Sequence, residues 1–168
     1  MVQRNPQTML FETLLTPSGD YAQYPYVCYP NVLAWRILLD LGSLYDRIRD
    51  LDRVDEATAI SNKLRAAIQK HFVVEGPLGD MFAHSVDLQG NFQLGDDPYG
   101  SLKLLSYLGF CAPDDGIYKN TIAWINSKHN PANSGDRISV PDLANDLLTG
   151  DRENALELLR RAEMDDGV

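Results

Sequence analysis

The chain has 168 residues, 44% hydrophobic and 23% charged, so it is the size of one domain that can bury a core of its own. Its net charge is −9 and its fifteen basic residues are scattered. This argues against nucleic acid as a partner, because a phosphate backbone needs a basic stripe. The apolar runs are far shorter than the ~20 residues that cross a bilayer, and no signal peptide is visible, so we expect no membrane partner and a cytoplasmic location.

A polar loop over residues 16–31 contains half of the eight tyrosines, together with three prolines and one acid, Asp20. Aromatic rings with hydroxyl groups around a carboxylate suit a sugar-sized ligand, which needs both stacking faces and hydrogen-bond partners. Tyr24 and Tyr26 are therefore candidate ligand-binding residues. The alternative is a structural loop whose tyrosines pack on a helical core, which is the commoner role of aromatic clusters.

Two amphipathic helices follow this loop. Residues 31–49 have Asn31 as a candidate N-cap and apolar residues at helical spacing: Leu33, Ile37, Leu41, Leu44 and Ile48. Residues 54–71 repeat the pattern, with a predicted inner face of Ala57, Ile60, Leu64, Ile68 and Phe72. The short connection predicts an antiparallel helical hairpin.

The rest of the chain alternates shorter helices with polar loops. A Gly-Pro turn at residues 76–79 ends helical character, and residues 81–94 are typical of a small β-hairpin outside the core. Further helices are predicted at residues 98–107, 115–127 and 141–162, the last interrupted by Gly150, with a mobile loop at residues 130–139. This layout favours an α/α architecture whose site is built from loops at one end.

Two acidic elements are candidates for chemistry. Asp20 in the tyrosine-rich loop and the pair Asp96-Asp97 could supply the two carboxylates of glycosidic cleavage, one as proton donor and one as base. Asp97 also precedes Pro98, which is typical of a helix N-cap, so we expect one acid of the pair to cap and the other to face a pocket. His84 should lie on the face of Phe82, where a structural role is the commoner one.

Metal and nucleotide chemistry have little support in the sequence. The three histidines do not approach metal-ligand spacing, and the chain contains no HExxH, P-loop or GxGxxG motif. We therefore expect neither a metal nor a cofactor.

Four motifs of this chain occur in the order of a known family pattern. Residues 16–32, TPSGDYAQYPYVCYPNV, are similar to F-x-P-S-D-D-A-x-x-Y-x-Y-x-I-P-x-N-M. Residues 82–91, FAHSVDLQGN, look like F-A-Y-x-V-D-x-x-G-N, and residues 96–109, DDPYGSLKLLSYLG, look like D-D-x-x-x-S-L-x-x-L-x-Y-L-G. Residues 117–121, IYKNT, and 130–131, NP, follow in the same order. Together these motifs resemble glycoside hydrolase family 125, the metal-independent exo-α-mannosidases.

The resemblance implies a fold, a ligand and residue roles. The fold would be all-α, a partial (α/α)6 toroid of antiparallel helical hairpins with a small β-hairpin excursion, in a single domain over residues 1–168. The ligand would be a mannoside-like carbohydrate. Asp20 would be the general acid, and Asp96 and Asp97 would help to bind the sugar, with Tyr24, Tyr26 and His84 as further substrate-binding candidates.

The chain also departs from the family pattern. Gly19 replaces the first acid of the P-S-D-D element, so Asp20 alone can carry that role. The family's general base, a glutamate, follows an M-D-x-G turn, whereas here MDDG at residues 164–167 is followed only by Val168. We therefore expect an inverting exo-α-mannosidase relative that is inactive alone. The alternative is a non-catalytic carbohydrate-binding or helical interaction module, with dimerisation through an exposed toroid face.

Overall fold

The structure, a computed structural model, describes residues 3–128, 130 and 140–161. Helices and short strands alternate along these residues, and about half of the chain is helical. The helices are α1 (Cys28–Arg47), α2 (Leu51–Phe72), α3 (Leu104–Tyr107), α4 (Gly116–Ile125), α5 (Val140–Thr149) and α6 (Arg152–Arg161), with a 3₁₀ turn at Pro98–Gly100. The strands are β1 (Gln3–Arg4), β2 (Phe11–Glu12), β3 (Tyr26–Val27), β4 (Val73–Gly76), β5 (Gly79–Phe82), β6 (Ser85–Val86) and β7 (Phe92–Gln93).

The two long helices pack against each other as the predicted hairpin. Helix α2 begins three residues earlier than predicted, because Asp50 caps it by accepting a hydrogen bond from the Arg53 N–H at 3.4 Å. Its buried face contains Leu64, Ile68 and Phe72, as the periodicity predicts. The core then continues through Phe110, whose ring contacts Trp35 edge-on with centroids 5.2 Å apart.

The buried face of α1 differs from the prediction. Val32 and Trp35 face the core, whereas Ile37, Leu44 and Ile48 of the predicted stripe are each at least half exposed. Helix α1 carries apolar residues on two sides, so spacing alone could not identify the inner one. The outer side is an exposed apolar face, and dimerisation through such a face stays a prediction.

Asn31 is not the N-cap of α1. The helix starts at Cys28, and Asn31 is fully buried in its first turn. Its Oδ1 accepts from the Phe11 N–H at 2.8 Å, and its Nδ2 donates to the Phe11 carbonyl at 3.1 Å. The amide therefore substitutes for a strand partner and ties β2 to α1. Pro30 is tolerated here because first-turn N–H groups have no partner within the helix.

The all-α expectation is incomplete, because the strands form more than one small hairpin. They make three antiparallel sheets, β1–β2, β3–β6–β7 and β4–β5. The segment predicted to be an excursion contributes Met81, Phe82 and Val86 to the core. Strand β3 pairs Tyr26 with Val86, so the tyrosine-rich segment is held by the sheet as well as by α1.

The helix predicted at residues 98–107 is broken. The 3₁₀ turn stops at Gly100, Ser101 is extended with ψ 140°, and α3 begins at Leu104. The break has a local cause, since Asp96 accepts hydrogen bonds from the Ser101 hydroxyl at 2.6 Å and the Leu102 N–H at 2.8 Å. The Leu102 bond replaces the helical partner of that N–H, and the Ser101 hydroxyl bond holds the segment in its extended form.

The C-terminal helices support this broken segment from one side. Helices α5 and α6 follow the prediction, with Gly150 between them at φ 83°. Asn145 of α5 donates to the Pro98 carbonyl at 2.9 Å, and Asp146 pairs with the Lys103 ammonium at 2.6 Å in a nearly inaccessible salt bridge. None of the helices in the described ranges is both long and apolar enough to cross a bilayer. Apart from Asn130, the predicted mobile loop lies outside the described residues.

Candidate functional site

A cavity of about 350 Å³ opens where the tyrosine-rich loop meets the segment before the 3₁₀ turn. This volume is in the range of small-molecule sites. The lining comes from stretches that are far apart in the sequence: Thr16, Ser18, Asp20, Tyr21, Gln23, His84, Gln93, Leu94, Gly95, Asp96, Asp97, Pro98 and Asn130. The lining is rich in hydroxyl, amide and carboxyl groups, which is the chemistry that binds a polyhydroxylated ligand.

The loop that carries Asp20 is a tight hydrogen-bonded turn. The Thr16 N–H donates to the Asp20 carbonyl at 2.8 Å, and the Gly19 N–H donates to the Thr16 carbonyl at 2.9 Å. Gly19 adopts φ 91°, a conformation that aspartate, the family's residue in the resembling motif, adopts only with strain. The Asp20 carboxylate is exposed, and its Oδ2 accepts from the Ser18 hydroxyl at 3.3 Å.

Asp97 fastens this turn to the other side of the cavity. Its Oδ1 accepts from the Tyr99 N–H at 3.0 Å and so caps the 3₁₀ turn, as predicted. Its Oδ2 accepts from the Ser18 N–H at 2.8 Å, across 79 residues of sequence. Both oxygens of this buried carboxylate therefore have backbone partners, and Ser18 connects Asp97 to Asp20.

A close packing contact at Gly100 also holds the turn at residues 16–20 in place. The Gly100 Cα lies against the rings of Pro17 and Tyr29, and a Cβ at this position would overlap both rings. Residue 100 must therefore be glycine for the turn at residues 16–20 to keep its position. This requirement is steric, because the Gly100 backbone is not among those with positive φ.

Asp96 lines the cavity from the buried side. Desolvation raises the pKa of its carboxyl to about 6, against the lowering effect of its hydrogen bonds from Ser101 and Leu102. The ordinary value is 3.8. Asp96 can therefore hold a proton under mildly acidic conditions.

The raised pKa of Asp96 predicts a pH-dependent stability. From pH 4 to about 6 the folded chain holds a proton that the unfolded chain has released, so the free energy of unfolding falls as pH rises. The shift corresponds to about 3 kcal/mol. Asp96→Asn cannot ionise, so it should gain about this much relative to the parent chain between pH 4 and pH 7. Urea unfolding of both proteins across this range measures the difference, and parallel pH profiles would contradict the shifted pKa.

His84 lies between β5 and β6 and is only 5% exposed. Its backbone is fixed by two hydrogen bonds, from its N–H to the Gln93 carbonyl at 2.8 Å and from the Cys28 N–H to its carbonyl at 2.9 Å. Burial lowers the pKa of the imidazole, while the nearby Asp97 carboxylate raises it less. The ring is therefore neutral at neutral pH.

The two predicted tyrosines do not line this cavity. Tyr26 is 5% exposed, and its hydroxyl donates to Glu12 at 2.7 Å and accepts from Asn5 at 3.0 Å. Tyr24 is half-buried and lies outside the lining. Tyr21, which was not among the predicted binding residues, lines the cavity and is 88% exposed. The sequence signal that could have indicated Tyr21 as a cavity residue was its position directly after Asp20.

Within the described ranges, no group of three or more His, Cys, Asp or Glu side chains is arranged to hold a metal ion. Cys28 is buried and Cys111 is half-buried, and both are free thiols. The cavity lining itself carries carboxyl, hydroxyl, amide and imidazole groups.

Comparison with known proteins identifies related sequences and a related fold. The family model of metal-independent alpha-mannosidase (GH125) matches residues 2–138. The Meiotically up-regulated gene 157 protein of Schizosaccharomyces pombe is 31% identical over 130 residues, which are 76% of this chain and 26% of that protein. The chain thus spans about a quarter of the length of this curated relative.

The fold matches a solved Streptococcus pneumoniae structure from a study of metal-independent alpha mannosidases and the processing of N-linked glycans. That protein was captured in a non-productive substrate complex with alpha-1,6-mannobiose. The TM-score is 0.79 at 23% identity, over 94% of this chain and 42% of that one. At this identity the match establishes the shared fold.

Proposed function

Because the chain belongs to the family of metal-independent α-mannosidases, glycoside hydrolase family 125, we propose that its cavity binds the terminal mannose unit of an α-mannoside. The proposal rests on one observation. A single cavity, large enough for a monosaccharide, is lined by the predicted residues Asp20, His84, Asp96 and Asp97. The hydrogen bond from the Ser18 N–H to Asp97 joins the two acidic elements across that cavity.

Asp20 is the proposed proton donor to the departing glycosidic oxygen. It is the exposed carboxyl group of the lining, whereas Asp97 is buried and Asp96 is half-buried, and both accept backbone hydrogen bonds. An inverting glycosidase also needs a second carboxylate that is free to activate water. Among the described lining residues no further carboxylate has that freedom. The proposed contribution of these residues is mannoside binding with proton donation by Asp20, and the expected lack of turnover stays a prediction.

The α1–α2 hairpin is proposed to be one unit of an (α/α)6 toroid. The TM-score of 0.79 with the mannosidase structure supports this arrangement. The exposed apolar side of α1, with Ile37, Leu44 and Ile48, is where a neighbouring helical unit of such a toroid would pack.

Tyr21→Ala tests the proposal. The exposed Tyr21 ring is available to stack on a sugar ring, and loss of such a contact weakens binding by about 1 kcal/mol, or roughly five- to tenfold in Kd. Isothermal titration with α-1,6-mannobiose measures this change. The matched control is Tyr107→Ala, since Tyr107 is 59% exposed and lies outside the cavity lining.

The same samples distinguish the candidate functions. Binding of mannobiose without release of mannose is the expected result, and it equally describes a non-catalytic carbohydrate-binding module. If the parent chain releases mannose and Asp20→Asn does not, the role of Asp20 as proton donor is supported and the expected lack of turnover is refuted. A parent chain that neither binds nor cleaves mannobiose would refute the proposed function, leaving the helical interaction module.

A further inference from the structure

One polar atom in the cavity wall is unsatisfied. Among the described residues, Nδ1 of His84 is the buried side-chain nitrogen or oxygen without a hydrogen-bond partner. A buried polar atom left unpaired costs about 1–3 kcal/mol of stability, so native structures rarely keep one without a reason. Hydrogen bonds to Gln93 and from Cys28 fix the backbone of His84, so only a rotation of its side chain can change the surroundings of Nδ1.

The surroundings of the ring match a sugar hydroxyl. A neutral imidazole has one N–H donor and one acceptor nitrogen, and a hydroxyl group can serve either. His84 faces the cavity together with Gln93, Asp96 and Asp97. The carboxylates on this side already accept hydrogen bonds from Tyr99, Ser18, Ser101 and Leu102, whereas Nδ1 of His84 has no partner.

We propose that His84 is a specificity-determining residue, whose Nδ1 forms a hydrogen bond with one hydroxyl group of the bound mannose unit. The assignment rests on the proposed function and deepens it. Because Nδ1 is not solvent-accessible in the empty cavity, the bond requires the ring to turn about its Cβ–Cγ bond. A ligand that lacks a hydroxyl there would leave the nitrogen unpaired and would bind less tightly.

Two variants and one spectrum test the proposal. His84→Phe keeps an aromatic ring without the nitrogen and should weaken α-1,6-mannobiose binding about tenfold, whereas His84→Gln keeps a hydrogen-bonding group and should recover most of the affinity. His71→Phe is the control, because His71 lies outside this cavity and should leave the affinity unchanged. In long-range ¹H–¹⁵N spectra of the parent chain, the His84 Nδ1 signal should shift when mannobiose is added.

The outcomes separate this assignment from the function on which it rests. If the parent chain binds mannobiose while its Nδ1 signal stays fixed and His84→Phe binds equally well, the role of His84 is refuted and the proposed function stands. If the parent chain does not bind mannobiose, the proposed function and this assignment both fail. The spectrum needs no variant, so the test survives even if His84→Phe does not fold.

Discussion

Lys103→Met is expected to lower the free energy of unfolding by about 3–5 kcal/mol. The Lys103 ammonium lies 2.6 Å from Asp146 Oδ1, and the two side chains are 7% and 2% exposed. Removing the ammonium leaves a charged carboxylate in a nearly inaccessible position. The remaining bond from Asn154 to Asp146 Oδ2 at 2.8 Å cannot compensate for a full charge. The loss is a large part of the 5–15 kcal/mol that stabilises a typical domain.

The control is a double variant, Lys103→Met with Asp146→Leu. Replacing both members of a buried ion pair by apolar residues is often neutral or stabilising, so the double variant should recover the stability of the parent chain within about 1 kcal/mol. Urea unfolding followed by circular dichroism measures all three proteins. A single variant as stable as the parent would show that the pair is open to water and that α5 does not pack on the segment after the 3₁₀ turn.

Gly100→Ala is expected to damage both stability and binding. The new Cβ would lie 2.7 Å from Tyr29 Cδ1 and closer still to the Pro17 ring, and neither ring can move away as a flexible side-chain end would. Such overpacking costs about 1–3 kcal/mol. The displaced residue is Pro17, directly before the turn that holds Ser18 and Asp20, so we also expect mannobiose affinity to fall about tenfold.

Gly116→Ala is the matched control for this change. Its Cβ would meet open space at the start of α4, so the substitution should leave binding unchanged and raise stability by about 0.4–1 kcal/mol. Thermal unfolding and isothermal titration of both variants provide the comparison. Unchanged mannobiose affinity in a folded Gly100→Ala protein would contradict the role of Gly100 in positioning the Asp20 turn.

Helical periodicity identified the buried face of a helix correctly only where the helix has a single apolar side. In α2 the stripe that contains Leu64, Ile68 and Phe72 is the sole apolar side, and the prediction is correct. Helix α1 has apolar residues on two sides, and burial of Trp35 instead of Ile37 depends on Phe110, far away in sequence. The break at Ser101 likewise depends on a side-chain bond to Asp96 that propensity does not encode.

The candidate site was predictable to the extent that its chemistry lies in short motifs. Asp20, His84, Asp96 and Asp97 do converge on one cavity. Which tyrosine lines the cavity was not predictable, because residues 23–25 are bends and not part of a regular strand in which side chains alternate. Pairing of Tyr26 with Val86 turns Tyr26 inward, and only the three-dimensional pairing of β3 with β6 fixes that choice.

The most direct test of the account is a titration of the ¹⁵N-labelled chain with α-1,6-mannobiose, followed through its backbone amide signals. The account predicts saturable shifts centred on Ser18, Asp20 and Tyr21 on one side of the cavity and on Gln93 and Gly95 on the other. An unchanged spectrum in a large excess of mannobiose, or shifts confined to the exposed face of α1, would contradict it.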